Sequence, residues 1–342
     1  MHSDCPQAGA AAPPQDSPRR GLSRRDFLQH TALAGAGLAL AAGGVRADEP
    51  AGDALPTRVL GRTGEEVSIL GLGTAPAGEG PPDVQECIRV FAAAIDRGVN
   101  YVDAARIYGN AEEALGHLVP SRRERLFLVT KCWSDNAADA EKSLAESLRL
   151  MKTDYVDLCH IHHIGNKDLE QVKAEDGILD YLLKEKEAGK IRFIGLSGHA
   201  GRSRFMEMIE TDQIDVVMTV LNYADRNIYE FESRVLPACR ERNIGVVAMK
   251  VYAGIRGGFR NHRSGHIGCA TDPKYLPDAL AYALDLPGVA SACVGPYTVE
   301  EAIHNVELAR QYQPLTPEQR AELLAYGEAL AEGLGPRYGP VV

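Results

Sequence analysis

The sequence predicts an α/β protein built as a (β/α)8 TIM barrel, with an N-terminal β-hairpin and a C-terminal helical extension. Short apolar runs alternate with amphipathic stretches along most of the 342 residues. Eight such runs can be recognised, and no linker-like segment interrupts them between residues 57 and 312. Strands that alternate with crossover helices form parallel sheets, and eight of them in roughly 230 residues are typical of a closed barrel.

The alternation can be followed element by element. Apolar and β-branched runs predict strands at 67–71, 101–104, 126–132, 155–162, 191–197, 216–221, 245–249 and 291–295. Apolar residues at helical spacing predict helices that include 83–97, 139–151, 177–188, 231–242, 277–285 and 299–311. An open sheet with a Gly-x-Gly-x-x-Gly turn is the alternative, but Gly71 and Gly73 supply only half of that fingerprint.

The two ends of the barrel region carry additional elements. Residues 58–67 resemble a hairpin that turns at 62–64 and would close the bottom of the barrel. Thr316 and Pro317 predict the N-cap and first position of one more helix, before a Gly- and Pro-rich tail. We therefore expect one domain over residues 57–342, of which 314–342 are the C-terminal tail region.

The first 47 residues predict an export signal. The string Ser-Arg-Arg-Asp-Phe-Leu at 23–28 precedes a mildly apolar run at 31–45, and Ala47 offers a small residue for cleavage. The string resembles a twin-arginine signal, which implies recognition by the twin-arginine export machinery. Residues 48–56 would form a short linker. We expect an exported protein, periplasmic or extracellular, after cleavage near Ala47.

Composition excludes several classes of protein. Asp and Glu number 47 against 37 Lys and Arg, a net charge of −10, which disfavours nucleic-acid binding. No apolar run is long enough to predict a stable membrane span in the mature protein. The seven cysteines contain no Cys-x-x-Cys spacing, which argues against a zinc ribbon or a thioredoxin-like motif.

Polar side chains follow the second, third and fourth predicted strands, where barrel enzymes carry their chemistry. Asp103 and Tyr108 follow the second strand, Lys131 ends the third and His162 ends the fourth. A phenol with a pKa of about 10 donates its proton poorly at neutral pH unless a nearby cation stabilises the phenolate. A lysine ammonium kept charged by a carboxylate would supply that cation, and an imidazole could orient a carbonyl oxygen. The four residues indicate a proton-donor site.

These motifs, in this order, resemble the aldo-keto reductase family. The matching elements are Asp-x-Ala-x-x-Tyr-Gly at 103–109, Thr-Lys at 130–131, Asp-Leu-x-x-Ile-His at 157–162 and the late pair Gly295 and Asn305. The resemblance spans Arg58 to about Tyr312. It implies an NAD(P)-dependent oxidoreductase that interconverts an aldehyde or ketone, sugar-like compounds included, and an alcohol by direct hydride transfer. Tyr108 would be the acid/base, Lys131 would lower its pKa and pair with Asp103, and His162 would orient the carbonyl.

The same resemblance implies a set of cofactor-binding positions. Thr74 follows the first strand, and Ser197 would bind the carboxamide of the nicotinamide. The pyrophosphate of the dinucleotide would lie at Lys250, Val251, Tyr252 and Gly254, and its adenosine at Gly295 and Asn305. Gly198 and Met218 depart from the family's usual Asn and Gln. Glu301 stands where an Arg often binds the 2′-phosphate of NADP, so the choice between NADP and NAD stays open.

Two other functions are compatible with the sequence. His160 and His162 lie on one face of a strand and, with His199, could serve a metal-dependent hydrolase on the same barrel. Strand six offers no further His and strand eight no Asp, so we interpret His160 as a buried core histidine and not as a metal ligand. A non-catalytic nucleotide-sensing scaffold is the second alternative, although all four catalytic residue types are present. His262 and His266 are interpreted as part of a flap over the site.

The sequence says little about the substrate. Selectivity in this architecture comes from long loops and the tail, which here carry polar residues such as Asn166, Arg226 and Arg256. They favour a polyhydroxy or anionic carbonyl compound, or the matching alcohol, over a steroid-like one.

Overall fold

Parallel strands close into a barrel within residues 54–256 and 268–342, the part of the chain that the computed structural model describes. The strands are β1 (Thr57–Val59), β2 (Glu66–Ser68), β3 (Leu70–Gly73), β4 (Tyr101–Asp103), β5 (Phe127–Cys132), β6 (Val156–Ile161), β7 (Ile191–Gly198), β8 (Val216–Val220), β9 (Gly245–Met249) and β10 (Val289–Val294). Strands β3 to β10 run around the barrel in sequence order, and β10 pairs with β3. The predicted (β/α)8 barrel is confirmed.

The hairpin of β1 and β2 closes the amino-terminal end of the barrel. Its Leu60 and Val67 are fully buried and pack inside the barrel against Tyr101 and Phe127. The prediction that Val67 begins the first barrel strand is wrong, because Val67 lies in β2 and the chain bends before entering β3 at Leu70. Val67 before the bend and Ile69 and Leu70 at and after it are all apolar and buried, so the hydrophobic pattern does not mark the bend.

Helices cover the outside of the barrel. They are α1 (Ala75–Glu79), α2 (Val84–Ile95), α3 (Ala111–Leu115), α4 (Ala137–Met151), α5 (Leu169–Lys173), α6 (Ile178–Glu187), α7 (Arg202–Glu210), α8 (Arg226–Tyr229), α9 (Leu236–Glu241), α10 (Leu276–Asp285), α11 (Val299–Arg310) and α12 (Pro317–Leu334). All six helices predicted above are present, although a π-helical segment at Phe231–Val235 precedes α9. Helix α4 begins two residues early, because Asn136 caps it by accepting the backbone N–H of Asp139.

The C-terminal helix is confirmed with its predicted cap. The Thr316 hydroxyl accepts the backbone N–H of Gln319, whose side chain in turn accepts the N–H of Thr316. After α12 the tail at 335–342 runs back to the carboxyl ends of the barrel strands. There the Pro340 carbonyl accepts a hydrogen bond from the N–H of Gly201.

Several sequence predictions fall on residues outside the described ranges. These are the signal peptide at 1–47, most of the linker at 48–56, and the flap histidines His262 and His266. Within the described residues, no helix is both long and apolar enough to cross a membrane.

Candidate active site

A cavity of about 490 Å³ opens at the carboxyl ends of the barrel strands. Asp103, Tyr108 and His162 line its centre, and Glu301 and Asn305 line it further along, on α11. Its volume lies in the range that holds small-molecule ligands, and this end of a parallel barrel is where such sites occur. The cavity is therefore the candidate active site.

A buried ion pair lies beneath the centre of the cavity. Lys131 Nζ lies 2.6 Å from Asp103 Oδ1 and donates to the Ala104 carbonyl at 2.8 Å. The two residues come from neighbouring parallel strands, and Lys131 shares the inward face of β5 with Val129, the register partner of Asp103. Burial works against the charge of Lys131, but the adjacent Asp103 carboxylate more than offsets this and raises the pKa of Lys131 above its ordinary value. Lys131 is therefore positively charged at neutral pH.

Tyr108 lies directly over this cation. Lys131 Nζ is 4.7 Å from the centre of the Tyr108 ring. Burial raises the pKa of the Tyr108 phenol, Lys131 lowers it, and the Asp103 charge raises it further. The effect of Lys131 has the predicted sign, but burial outweighs it, so the resting side chain is a protonated phenol.

His162 completes the cluster from the end of β6. Its ring meets that of Tyr108 edge to face, with 5.9 Å between the ring centres. Burial, with Lys131 nearby, holds the pKa of His162 well below its usual range, so the imidazole is neutral. A neutral imidazole can donate one hydrogen bond to an oxygen in the cavity. The structure thus brings together all four residues predicted to be catalytic.

The loop that carries Tyr108 is fastened to the strand that carries Lys131. Glu112, fully buried, forms an ion pair with Arg106 and accepts a hydrogen bond from the Thr130 hydroxyl at 2.8 Å. Arg106 lies two residues before Tyr108, and Thr130 is adjacent to Lys131. No sequence pattern identifies Glu112, because a carboxylate on a short helix gives no signal of its contacts.

Most of the predicted cofactor positions face the cavity. Its lining includes Lys250, Val251, Tyr252, Gly254, Gly295 and Asn305. Thr74 and Ser197 are buried but are not among the lining residues. The Thr74 hydroxyl donates to the Asp103 carbonyl at 2.8 Å, whereas the Ser197 hydroxyl has no hydrogen-bond partner among the described residues. A cavity lined from Tyr108 to Asn305 on α11, with this orphaned hydroxyl beside it, fits an elongated polar ligand such as a dinucleotide.

Other cavity-lining residues were not predicted to be functional. Trp133, His163, Arg337 and Tyr338 line the cavity, together with His199, which was considered only as a metal ligand. The Trp133 ring is tilted against that of His163, with 4.9 Å between the ring centres. The Tyr338 ring is tilted against that of His199, with 5.2 Å between the centres. Arg337 and Tyr338 belong to the aperiodic tail, where the sequence predicted selectivity but no particular residue.

The far end of the cavity is acidic. The Glu301 carboxylate accepts the backbone N–H of Tyr297 at 2.7 Å, and Thr298 caps α11 by accepting the N–H of Glu301. The N–H of Tyr297, just before α11, and the N–H of Glu301, in its first turn, are thereby bonded to side chains of the protein. A phosphate at this position would lie beside the Glu301 carboxylate.

The proposed metal ligands do not come together. His160 is buried in the barrel and does not line the cavity, whereas His162 and His199 do. Within residues 54–256 and 268–342, no group of three or more His, Cys, Asp or Glu side chains is placed to hold a metal ion. The metal-dependent hydrolase is therefore not favoured.

Fold and site define a class of barrel enzymes in which a phenol, backed by a buried lysine, can exchange a proton with a bound carbonyl or alcohol. The family model described as Aldo/keto reductase family matches residues 69–276, and the chain belongs to this family. Membership in this family indicates an NAD(P)-dependent oxidoreductase of carbonyls and alcohols.

Individual relatives agree with this assignment. The L-galactose dehydrogenase of Arabidopsis thaliana is 27% identical over 305 residues, which cover 80% of this chain and 94% of that protein. A Pseudomonas aeruginosa structure described as an aldo-keto reductase has a TM-score of 0.61 at 29% identity, covering 75% of this chain and 94% of that one. An aldo-keto reductase from Klebsiella pneumoniae in complex with NADPH has a TM-score of 0.63 at 23% identity, with 79% and 94% covered, and shows the shared fold.

Proposed function

We propose that this protein interconverts a carbonyl compound and an alcohol, with Tyr108 as the acid/base. The observation that supports this most is the position of Lys131, whose ammonium lies 2.6 Å from Asp103 and 4.7 Å from the centre of the Tyr108 ring. A bound nicotinamide dinucleotide would supply or accept the hydride. The remaining chemistry is a proton transfer at the carbonyl oxygen, and the chain's own residues perform it.

Each of the four central residues has one role in that transfer. In the reducing direction the Tyr108 phenol donates its proton to the substrate oxygen, and His162 orients that oxygen by donating a hydrogen bond. Lys131 stabilises the phenolate as it forms, and Asp103 keeps Lys131 charged. The oxidising direction is the reverse and starts from the Tyr108 phenolate: the phenolate, stabilised by Lys131, accepts the proton of the alcohol and becomes the phenol again. Because Lys131 is held beside Tyr108 before substrate arrives, its side chain does not have to move during the reaction.

The dinucleotide would lie across the cavity from the Tyr108 side to α11. Lys250 lines this path, and burial lowers its pKa, an effect that an anionic pyrophosphate beside it would oppose. Glu301 at the far end can accept a ribose hydroxyl but repels a 2′-phosphate. We therefore propose NAD as the preferred cofactor, although the Klebsiella pneumoniae neighbour was solved with NADPH.

The substrate would be a polyhydroxy carbonyl compound or its cyclic hemiacetal. The cavity wall contains flat rings that carry polar atoms, from Trp133, His163, His199 and Tyr338. Such a wall suits sugar rings, which have apolar faces and hydroxyl groups along their edges. The likeness to an L-galactose dehydrogenase supports this class.

The protein would act outside the cytoplasm. The twin-arginine-type string before residue 47 supports export of the folded chain, and a folded barrel could leave with its dinucleotide already bound. A second substrate would then regenerate the cofactor on the enzyme. Isolation of the exported fraction tests this, because a chain that carries no dinucleotide, or that exchanges it rapidly, would contradict it.

The activity is tested with the purified full chain. We expect it to bind NAD, to reduce NAD with L-galactose as the alcohol, and to oxidise NADH with methylglyoxal as the carbonyl, equally well with and without a chelator. Failure to bind NAD or NADP would contradict the proposal. Activity that disappears with the chelator would point to the metal site instead, and binding without turnover of any carbonyl or alcohol would favour the nucleotide-sensing scaffold.

A further inference from the structure

A buried carboxylate organises the mouth of the barrel on the side of β8. Asp225 lies in the loop after this strand and is 1% exposed. It accepts a hydrogen bond from Asn222 Nδ2 at 2.7 Å and is held by both terminal nitrogens of Arg337, each at 2.8 Å. A two-point contact of this kind fixes a guanidinium in position as well as in charge. Arg337 comes from the C-terminal tail, so Asp225 ties the tail to the barrel.

Both partners of Asp225 also hold the loop that follows β9. Asn222 Nδ2 donates to the Lys250 carbonyl at 2.9 Å, and Arg337 Nη2 donates to the Ala253 carbonyl at 2.9 Å. Lys250 and Ala253 have φ angles of 58° and 54°, in the left-handed region that residues with a Cβ rarely adopt. Backbone of this kind persists where its surroundings enforce it. The hydrogen bonds from Asn222 and Arg337 are therefore accepted by the carbonyls of these two strained residues.

The tail is packed closely around the same loop. The N–H of Tyr338 donates to the Tyr229 hydroxyl at 2.7 Å, and the Tyr338 ring lies 5.2 Å from that of His199. A Cβ on Gly254 would overlap the Tyr338 hydroxyl, so the tail and the loop touch without space between them. The tail therefore forms one wall of the cavity, next to residues 250–254.

We propose that Asp225, Asn222 and Arg337 form a clamp that sets the conformation of the 250–254 loop, and that the C-terminal tail thereby controls how tightly the dinucleotide is held. This rests on the proposed function, in which that loop carries the dinucleotide. The three residues are positioning residues and take no part in proton transfer. Asn222 and Asp225 do not line the cavity, and Arg337, which does, holds the Ala253 carbonyl of the loop. Loosening the clamp lets the loop leave its strained conformation, which weakens binding and speeds dinucleotide release.

The test uses two variants of the full chain, Arg337→Lys and a chain that ends at Leu334. Lysine keeps the charge but cannot make the two-point contact. We expect both variants to bind NADH at least about tenfold more weakly, or about 1.4 kcal/mol, with faster NADH dissociation in stopped-flow displacement. Amide hydrogen exchange in the ligand-free chain should be faster at residues 250–256. The pH dependence of turnover at saturating NADH should not change.

The chain offers a matched control at the opposite end of the barrel. Arg123 pairs with Asp157 at 2.8 Å, and the two side chains are 12% and 3% exposed, close to the 11% and 0% of Arg337 and Asp225. Arg123→Lys should lose a comparable amount of stability while leaving NADH affinity and loop exchange unchanged.

The outcomes separate this inference from the proposed function. Wild-type NADH affinity that persists in both clamp variants, or loop exchange no faster than in Arg123→Lys, overturns the clamp and leaves the proposed function intact. A wild-type chain that binds neither NADH nor NADPH overturns both.

Discussion

In the proposed reaction, Tyr108 keeps its proton at rest and transfers it only to a bound substrate. Burial raises the pKa of the phenol more than Lys131 lowers it, so the resting site holds no phenolate. Under this proposal, Lys131 would act mainly on the phenolate that forms during the reaction and not on the ground state. Stabilisation confined to the transition state is what accelerates a step, since equal stabilisation of both states does not.

This electrostatic arrangement predicts a broad pH plateau. His162 becomes charged only below its lowered pKa, and Tyr108 loses its proton only above its raised one. At saturating NADH, kcat/KM for a carbonyl such as methylglyoxal should therefore stay flat between about pH 6.5 and pH 10, the ordinary values of the two groups. Steady-state rates in buffers of constant ionic strength measure this. This prediction would be contradicted by a change in wild-type kcat/KM centred between pH 7 and pH 9 that is absent in Lys131→Met. Such a change would show that the resting phenol ionises in that range.

A second prediction at the residue scale concerns Glu301 and the choice between NAD and NADP. Glu301→Arg replaces a repulsive carboxylate with a cation at the far end of the cavity, so the ratio of NADPH to NADH affinity should rise at least about tenfold. Fluorescence titration of both dinucleotides measures it. Glu300→Arg is the control, because Glu300 lies on the same helix turn, is exposed and does not line the cavity. An equal change in both variants would mean that only net charge matters.

At the scale of elements, the hairpin of β1 and β2 is a structural plug without a chemical role. Leu60 is fully buried inside the barrel, whereas Val59 on the same hairpin is 55% exposed. Leu60→Ala should lower the free energy of unfolding by about 2–5 kcal/mol through the cavity that it leaves. Val59→Ala should change it by less than about 0.5 kcal/mol. Urea denaturation measures both, and a Leu60→Ala chain as stable as Val59→Ala would show that the plug contributes nothing.

The sequence predicted those elements whose signal is local or periodic. Helical spacing and N-caps located the long helices, and the shared carboxyl edge of parallel strands brought Asp103, Lys131 and His162 together without a structure. The bend between β2 and β3 was missed because apolar residues continue through it. Asn222 and Arg337 were missed because they act through contacts with residues distant in sequence, and no local pattern records such contacts.

At the scale of the whole molecule, the barrel separates stability from chemistry. Its amino-terminal end holds the plug and a network of ion pairs around Asp157, whereas its carboxyl end holds the cavity, the strained 250–254 loop and the tail. Substitutions at the amino-terminal end of the barrel should change the free energy of unfolding. Substitutions at the carboxyl end should change dinucleotide binding and turnover.

The most direct measurement is a single turnover with Tyr108→Phe. The full-length variant and the wild type are loaded with NADH and mixed with excess methylglyoxal, and the loss of the NADH signal is followed by stopped flow. Phenylalanine keeps the ring and removes the proton, so we expect NADH affinity within about twofold of wild type and hydride transfer slower by about 10²–10⁴-fold. Transfer at the wild-type rate in Tyr108→Phe would contradict the assignment of Tyr108 as the proton donor.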